Sequence, residues 1–377
     1  MLKVVSRTTL AWLVAPVLLA ASPRVAPAQR AVDSSFAGVI ARLSESGGYF
    51  DSDNIISNEA SYLQIASQLT KVGVRGGVYI GVGPDQNFSY IALIRPRVAF
   101  MLDVRRDNML EHLLFKSLFA ISRNRLEYLL RLFGKAVPAD IESFTGRSSS
   151  EILAVFAEAR FDSQTVMAAR RLSNEKITRF GVPLNARDRE MIERYRMAFI
   201  SEGLDTRYSS IGRNNRGDYP SFGRLMMETD RAGRQISYLA DENAFQFVRS
   251  MQNSDRIIPV VGNVAGDKAV KAIGQYAMEH GLNVSAFYLS NVEQYLMGRD
   301  GGFDEYARNV KTLPHDSTSV IIRSFFGRFG ATHPLYVAGR GSVSTSMIEP
   351  INSFLRAFAA GELSNYSALV FDRYIKP

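Results

Sequence analysis

The chain has 377 residues, 46% hydrophobic and 22% charged, with no cysteine and one tryptophan. That composition excludes a disordered or collagen-like chain, and the lack of cysteine excludes a disulfide scaffold, thiolate metal sites, a cysteine nucleophile and lipoprotein acylation. The formal charge of +8 comes with no aromatic-and-basic RNA motif and no Cys/His finger, so it reads as a solubility property rather than a nucleic-acid footprint.

Residues 1–28 read as a secretory signal peptide. Lys3 and Arg7 make a basic start, residues 8–21 (TTLAWLVAPVLLAA) an apolar run, and Ala26-Pro27-Ala28 a small-x-small cleavage site. The run is short for a membrane span, which needs ~20 apolar residues; the alternative is an uncleaved anchor in the inner membrane. Cleavage after Ala28 would remove Lys3, Arg7 and Arg24 and no acid, taking the charge from +8 to +5. The expected mature chain, from residue 29 to 377, is a single domain that is periplasmic or extracellular, with no further membrane span. No twin-arginine pair precedes the apolar run, which favours export of the unfolded chain, without a prebound cofactor.

Residues 33–70 read as a helical lead-in broken at Gly47-Gly48. Strands are predicted at 77–80 (GVYI) and 98–102 (VAFML), both short apolar runs. A helix follows from Asn108, with Leu110, Leu114, Leu118 and Ile121 on one face. Residues 124–220 are rich in Arg and Glu and helical in period, which marks a helical insertion. Within it Ser148 to Glu151 offers a helix cap, and 185–200 is a helix. Strands resume at 257–261 (IIPVV), where Pro259 argues against a central position, then at 284–289, 320–322 and 335–338. A helix over 268–280 closes at Gly281. Short apolar strands alternating with helices predict an α/β fold with a doubly wound, mostly parallel sheet.

The most informative run is Gly77-Val-Tyr-Ile-Gly81-Val-Gly83-Pro-Asp85. A strand enters Gly81-x-Gly83, and Asp103 ends the next strand 20 residues after Gly83. In a nucleotide-binding Rossmann unit the glycines let the backbone approach the ligand, and the acid accepts hydrogen bonds from the ribose hydroxyls. The third glycine is absent and Asp85 stands in the turn, where it would repel a diphosphate. The pattern therefore points away from NAD or FAD and toward S-adenosylmethionine or a related nucleoside-like small molecule, against the alternative of a tight turn with no ligand.

The stretches SNEASYLQIASQL (57–69), GGVYIGVGPDQNFSYIALIRP (76–96), AFMLDVRRDNMLEHLLFKSLFAISRNRLEYL (99–129) and SAFYLSNVEQYL (285–296) are similar to an uncharacterised bacterial family described as having a methyltransferase-like Rossmann core. The resemblance implies a sheet of S-adenosylmethionine-dependent methyltransferase type. It implies that Gly81 and Gly83 line the cofactor and that Asp103 holds its ribose. The acid that such a pattern carries just before the first glycine is replaced by Tyr79 and Ile80, with Glu59 or Asp85 as substitutes. The resemblance implies no proven activity.

Other groups offer two readings each. Asn291 and Glu293, after the 284–289 strand, would face a crevice at the carboxyl ends of the strands or cap a helix. Ser57-Asn58-Glu59 carries the same two readings. Gly262 to Lys268 lacks phosphate-loop spacing and reads as an ordinary strand–helix turn, from which Asn263 can reach the crevice. Arg105 and Arg106 read as contacts for an anionic substrate group or, more simply, as surface ion pairs with Asp107 or Glu111. The four histidines make no metal-ligand pair, and no G-x-S-x-G occurs, which argues against a nucleophile-elbow hydrolase. The functional expectation is a methyltransferase-like protein with a nucleoside crevice and Asn263, Asn291 and Glu293 as substrate-side groups. The alternatives are a non-catalytic envelope protein that keeps the fold, and an enzyme that reuses the crevice for another substrate.

Overall fold

The computed structural model describes residue 1 and residues 34–210, 219–298, 301–327, 332–337 and 344–377. The apolar run and cleavage site of the expected export signal lie outside the described residues. Residues Ser34–Pro377 form one compact unit. No described helix is long and apolar enough to cross a membrane.

Six strands form one sheet: β1 (Val78–Val82), β2 (Val98–Asp103), β3 (Ile257–Val261), β4 (Val284–Tyr288), β5 (Val320–Phe326) and β6 (Ser344–Pro350). Their spatial order is β3-β2-β1-β4-β5-β6. The first five run parallel and β6 runs antiparallel to β5. Every residue of β1 to β4 is buried, as a parallel sheet covered by helices requires. Pro259 lies on β3, at the edge of the sheet opposite Met101, where a missing N–H leaves one ladder intact.

Helices α1 (Phe36–Leu43) and α2 (Ala66–Val72) precede β1, and α3 (Asn87–Ile94) joins β1 to β2. The connection from β2 to β3 carries α4 (Arg106–Ile121), α5 (Arg125–Leu132), α6 (Ser149–Glu158), α7 (Ser163–Arg179), α8 (Ala186–Glu202), α9 (Phe222–Met227) and α10 (Glu242–Asn253). The helix-rich stretch thus runs past 220 to the start of β3, and 211–218 within it lies outside the described residues. Then α11 (Ala269–Glu279) leads to β4, α12 (Val292–Met297) and α13 (Phe303–Lys311) to β5, and α14 (Ile351–Ala359) and α15 (Tyr366–Phe371) close the chain.

Local sequence explains these boundaries. Ser148 and Glu151 form a capping box at α6, and Asn185 and Asp188 form another at α8; such N-caps contribute ~1 kcal/mol each. On α4, Leu110, Leu114 and Leu118 are buried as the spacing predicts. The helix packs on β2 and β3 and also against α7, α8 and α10. Its second face is therefore covered too, which buries Glu111, His112 and Lys116. The lysine meets Asp255 at 2.8 Å.

One strand expectation fails. Leu335 lies in a turn, Tyr336 and Val337 are irregular, and Ala338 is outside the described residues. The last strand is β6, STSMIEP. Its serines read as loop residues by composition, yet they are buried because they pair with Ser61 of the lead-in and with Ser324 on β5. Ser61 Oγ lies 3.0 Å from both Ser344 Oγ and Ser346 Oγ, which removes the cost of burying hydroxyls.

Candidate functional site

Strand order reverses between β1 and β4, and ligands of open α/β sheets sit beyond the carboxyl ends of the strands at such a point. A crevice of about 310 Å³ lies there, within the usual range for small-molecule sites, ~300–1,000 Å³. Its floor comes from four strand ends: Val82-Gly83, Leu102-Asp103-Val104, Gly262-Asn263-Val264, and Tyr288 with Ser290-Asn291.

Gly83 turns the chain out of β1 with φ +83°, a conformation that glycine adopts without strain. The Gly83 carbonyl accepts from His112 Nε2 at 2.9 Å. Asp103 ends β2 at the opposite wall. Its Oδ1 accepts from the Arg105 amide at 2.8 Å and its Oδ2 from Asn54 Nδ2 at 3.1 Å. Each oxygen keeps a lone pair for a ligand. Burial raises the Asp103 pKa above its ordinary value, opposed by the Arg105 amide.

The lead-in that precedes α2 roofs these strand ends. The Glu45 amide donates to Val261 O at 2.9 Å and the Gly48 amide to Val104 O at 2.7 Å. A Cβ on Gly48 would come within 2.7 Å of Val104 Cγ2, so the close approach requires glycine at the break seen in the sequence. Tyr49, Phe50, Asn54, Ser57 and Asn58 reach the crevice from this segment. Phe50 meets Tyr295 edge-on at 5.0 Å between ring centroids. Asn54, Tyr49, Phe50 and Tyr208 escape sequence reasoning because no spacing rule ties a lead-in or a distant loop to a strand end. The Gly47-Gly48 pair is the one local signal.

Of the residues expected in the site, Gly83, Asp103, Asn263 and Asn291 line the crevice; the other four do not. Gly81 lies inside β1, and a Cβ there would stand 2.0 Å from Asn87 Oδ1. It makes room for the buried pair of Tyr79 and Asn87, joined at 2.6 Å. Asp85 turns away from the crevice into a small cavity with Tyr62, Phe222 and Tyr238. It accepts from Tyr238 OH at 3.0 Å, and burial pushes its carboxyl up to about 6.

Glu59 sits behind the crevice wall, fully buried, accepting from Ser290 Oγ and Ser324 Oγ. Burial raises its pKa. Glu293 neither faces the crevice nor caps a helix. It is fully buried in an ion pair with Arg323, at 2.6 and 3.1 Å, and accepts from Tyr306 OH at 3.0 Å. Arg323 also pairs with Glu349 at 2.6 Å, and Glu349 with Arg373 at 2.9 Å. These partners lie on β5, β6 and the chain's end, beyond the reach of a local motif.

The arginines after Asp103 are committed to ion pairs. Arg105 meets Asp107 at 3.0 Å, and Arg106 grips both oxygens of Asp188 at 2.9 Å. The Gly262–Lys268 turn holds an anion of its own: the Glu45 carboxylate accepts from the amides of Asn263 at 2.7 Å and Lys268 at 3.1 Å. Among the described lining residues Asp103 alone carries a charge. No group of three or more acidic or histidine side chains among the described residues could hold a metal ion.

The crevice thus offers one carboxylate, four asparagine amides (Asn54, Asn58, Asn263 and Asn291) and an aromatic wall of Tyr49, Phe50, Tyr208, Tyr288 and Tyr295. No curated protein matches the chain. A profile described as a domain of unknown function (DUF7790) matches residues 54–180 and 185–374, which include all of the described crevice lining but Tyr49 and Phe50, and the chain belongs to that family.

Proposed function

We propose that the crevice binds a nucleoside-like ligand of the S-adenosylmethionine class, with Asp103 accepting hydrogen bonds from the ribose hydroxyls. The observation that carries this reading is the Asp103 carboxylate, aimed into the crevice from the end of β2 with acceptor capacity to spare, opposite the Gly83 turn. The absence of any lysine or arginine from the described lining disfavours a dinucleotide diphosphate, which needs positive charge or a free helix N-terminus. A neutral or sulfonium-bearing nucleoside suits a single carboxylate. The strand order β3-β2-β1-β4-β5 and the resemblance to a methyltransferase-like core support a methyltransferase type of sheet.

Binding without methyl transfer is the second reading. It is favoured by one observation: Glu293, the one acidic group expected on the substrate side, is consumed by Arg323.

Calorimetric titration of S-adenosylhomocysteine and of NAD into the protein tests the proposal. The expected result is binding of the first and not the second, with Asp103→Ala weakening it by roughly 1–3 kcal/mol, the scale of a hydrogen bond to a charged group. No heat from a folded protein, or equal affinity in the variant, would remove Asp103 from this role.

A further inference from the structure

We infer that Ser290 is a nucleophile activated by Glu59, and that this wall of the crevice supports acyl transfer from a neutral or cationic carboxylic ester. The inference goes beyond the nucleoside reading and does not rest on it.

Ser290 stands where β4 turns into α12, at the carboxyl edge of the sheet, with φ +54°. A non-glycine residue holds such a conformation only where its surroundings over-determine it. Here the Ser290 carbonyl accepts from the Ser324 amide at 2.7 Å, and its hydroxyl donates to Glu59. A strained strand-to-helix turn that lifts a serine hydroxyl to the top of an α/β sheet is the placement of a hydrolase nucleophile. The sequence hides it, because Tyr288 and Val292 occupy the positions where the motif has glycine. Ser290 lines the crevice.

Glu59 is placed as a base. Hydroxyls face it from every side: Ser290 on the turn, Ser324 on β5 and Tyr288 on β4 bond to it. Tyr79 on β1, Tyr90 on α3 and Tyr366 on α15 feel its charge. No arginine or lysine is among the groups that perturb it, in contrast to Glu293 and Glu349, whose charges are spent on Arg323. Burial raises its pKa, which makes the carboxylate a stronger base toward the hydroxyl it faces. Asn291, next after Ser290, and Asn58 also line the crevice, and their side-chain amides would supply the N–H donors that a developing oxyanion needs.

Ser290 Oγ would attack the ester carbonyl as its proton passes to Glu59. The bond to the leaving alcohol then breaks, the alcohol takes that proton from Glu59, and an acyl-Ser290 remains. Water, deprotonated by Glu59, attacks the acyl carbon, and Ser290 leaves with the proton. The products are the carboxylic acid and the original serine. An ester bearing negative charge is disfavoured, because the described lining supplies a carboxylate and no cation.

The test is labelling of the full chain with a fluorophosphonate probe, read by intact mass and peptide mapping, with Ser290→Ala as control. One adduct at Ser290 is expected, forming faster as pH rises through a single titration. Glu59→Gln should slow labelling by about 100-fold or more and flatten that pH profile. Glu59→Asp should keep part of the rate and the pH dependence. Thermal melts establish that each variant is folded, and the wild-type pH profile carries the test if Glu59→Gln is not. A folded wild type without an adduct at Ser290, a pH-independent rate, or equal labelling of folded Glu59→Gln would overturn the inference. Binding of S-adenosylhomocysteine is scored separately, so either proposal can fail alone.

Discussion

Replacing Asp85 by asparagine should stabilise the protein at neutral pH without touching the crevice. The carboxyl is buried against Tyr238, Tyr62 and Phe222, and its pKa is raised from 3.8 to about 6 by burial. The folded chain therefore holds this proton to higher pH than the unfolded chain does. Ionising Asp85 costs stability, and the cost grows as pH rises from about 4 through about 6. A shift of ~2 units corresponds to about 3 kcal/mol above pH 6, with about half of that remaining near pH 5 and none below pH 4. Asparagine keeps an acceptor for Tyr238 and carries no charge to bury. For a domain of this length 3 kcal/mol is roughly 4 °C in Tm. Thermal and urea unfolding of both proteins between pH 4 and 8 measures the gap. A variant no more stable at pH 7.5, or a gap independent of pH, would refute the burial argument. A lost affinity for S-adenosylhomocysteine would refute the placement of Asp85 outside the site.

Two further substitutions separate scaffold from site. Glu293→Gln breaks a fully buried pair and leaves Arg323 with Glu349 alone; it should cost ~3–5 kcal/mol in urea unfolding and leave S-adenosylhomocysteine affinity within about twofold, whereas lost affinity at unchanged stability would return Glu293 to the crevice. Gly81→Ala drives a Cβ into Asn87 and Tyr79 and should destabilise by ~1–3 kcal/mol through overpacking. A fully stable Gly81→Ala protein with weakened ligand binding would show that Gly81 serves the ligand instead.

The parts of the site that are local in sequence were legible, and the parts made by long-range packing were not. Gly83 and Asp103 sit at the ends of successive strands, so one spacing of 20 residues places both. Glu59, Glu293 and Asp85 carry the right chemistry near strand ends, but what decides a carboxylate's role is its partner. Glu59 and Ser324 are 265 residues apart, Asp85 and Tyr238 are 153 apart, and Glu293 finds Arg323 on β5. Strand β6 was invisible for a related reason. Its serines are tolerable in a buried strand only because Ser61 and Ser324 meet them there, and alternation of polarity cannot register a polar core.

The same accounting bears on ligand choice. Three structural devices withdraw positive charge from the crevice. The Arg105 and Arg106 guanidinium groups, which follow Asp103 and Val104 in sequence, are turned onto Asp107 and Asp188. The amides at the start of α11, which would otherwise attract a phosphate, are already donated to Glu45. Asp103 keeps a negative charge at the wall, with Asn54 and the Arg105 amide as its only described hydrogen-bond donors. A diphosphate entering this crevice would lose its hydration, meet a carboxylate, and find the amides at the start of α11 occupied by the Glu45 carboxylate. Desolvating a charge without a partner costs several kcal/mol, more than stacking on Tyr49 or Tyr295 returns. Under the proposed nucleoside reading, selection against anionic ligands would rest on Glu45, Asp107 and Asp188 as much as on Asp103. Substituting Asp103 alone should weaken a nucleoside without admitting NAD.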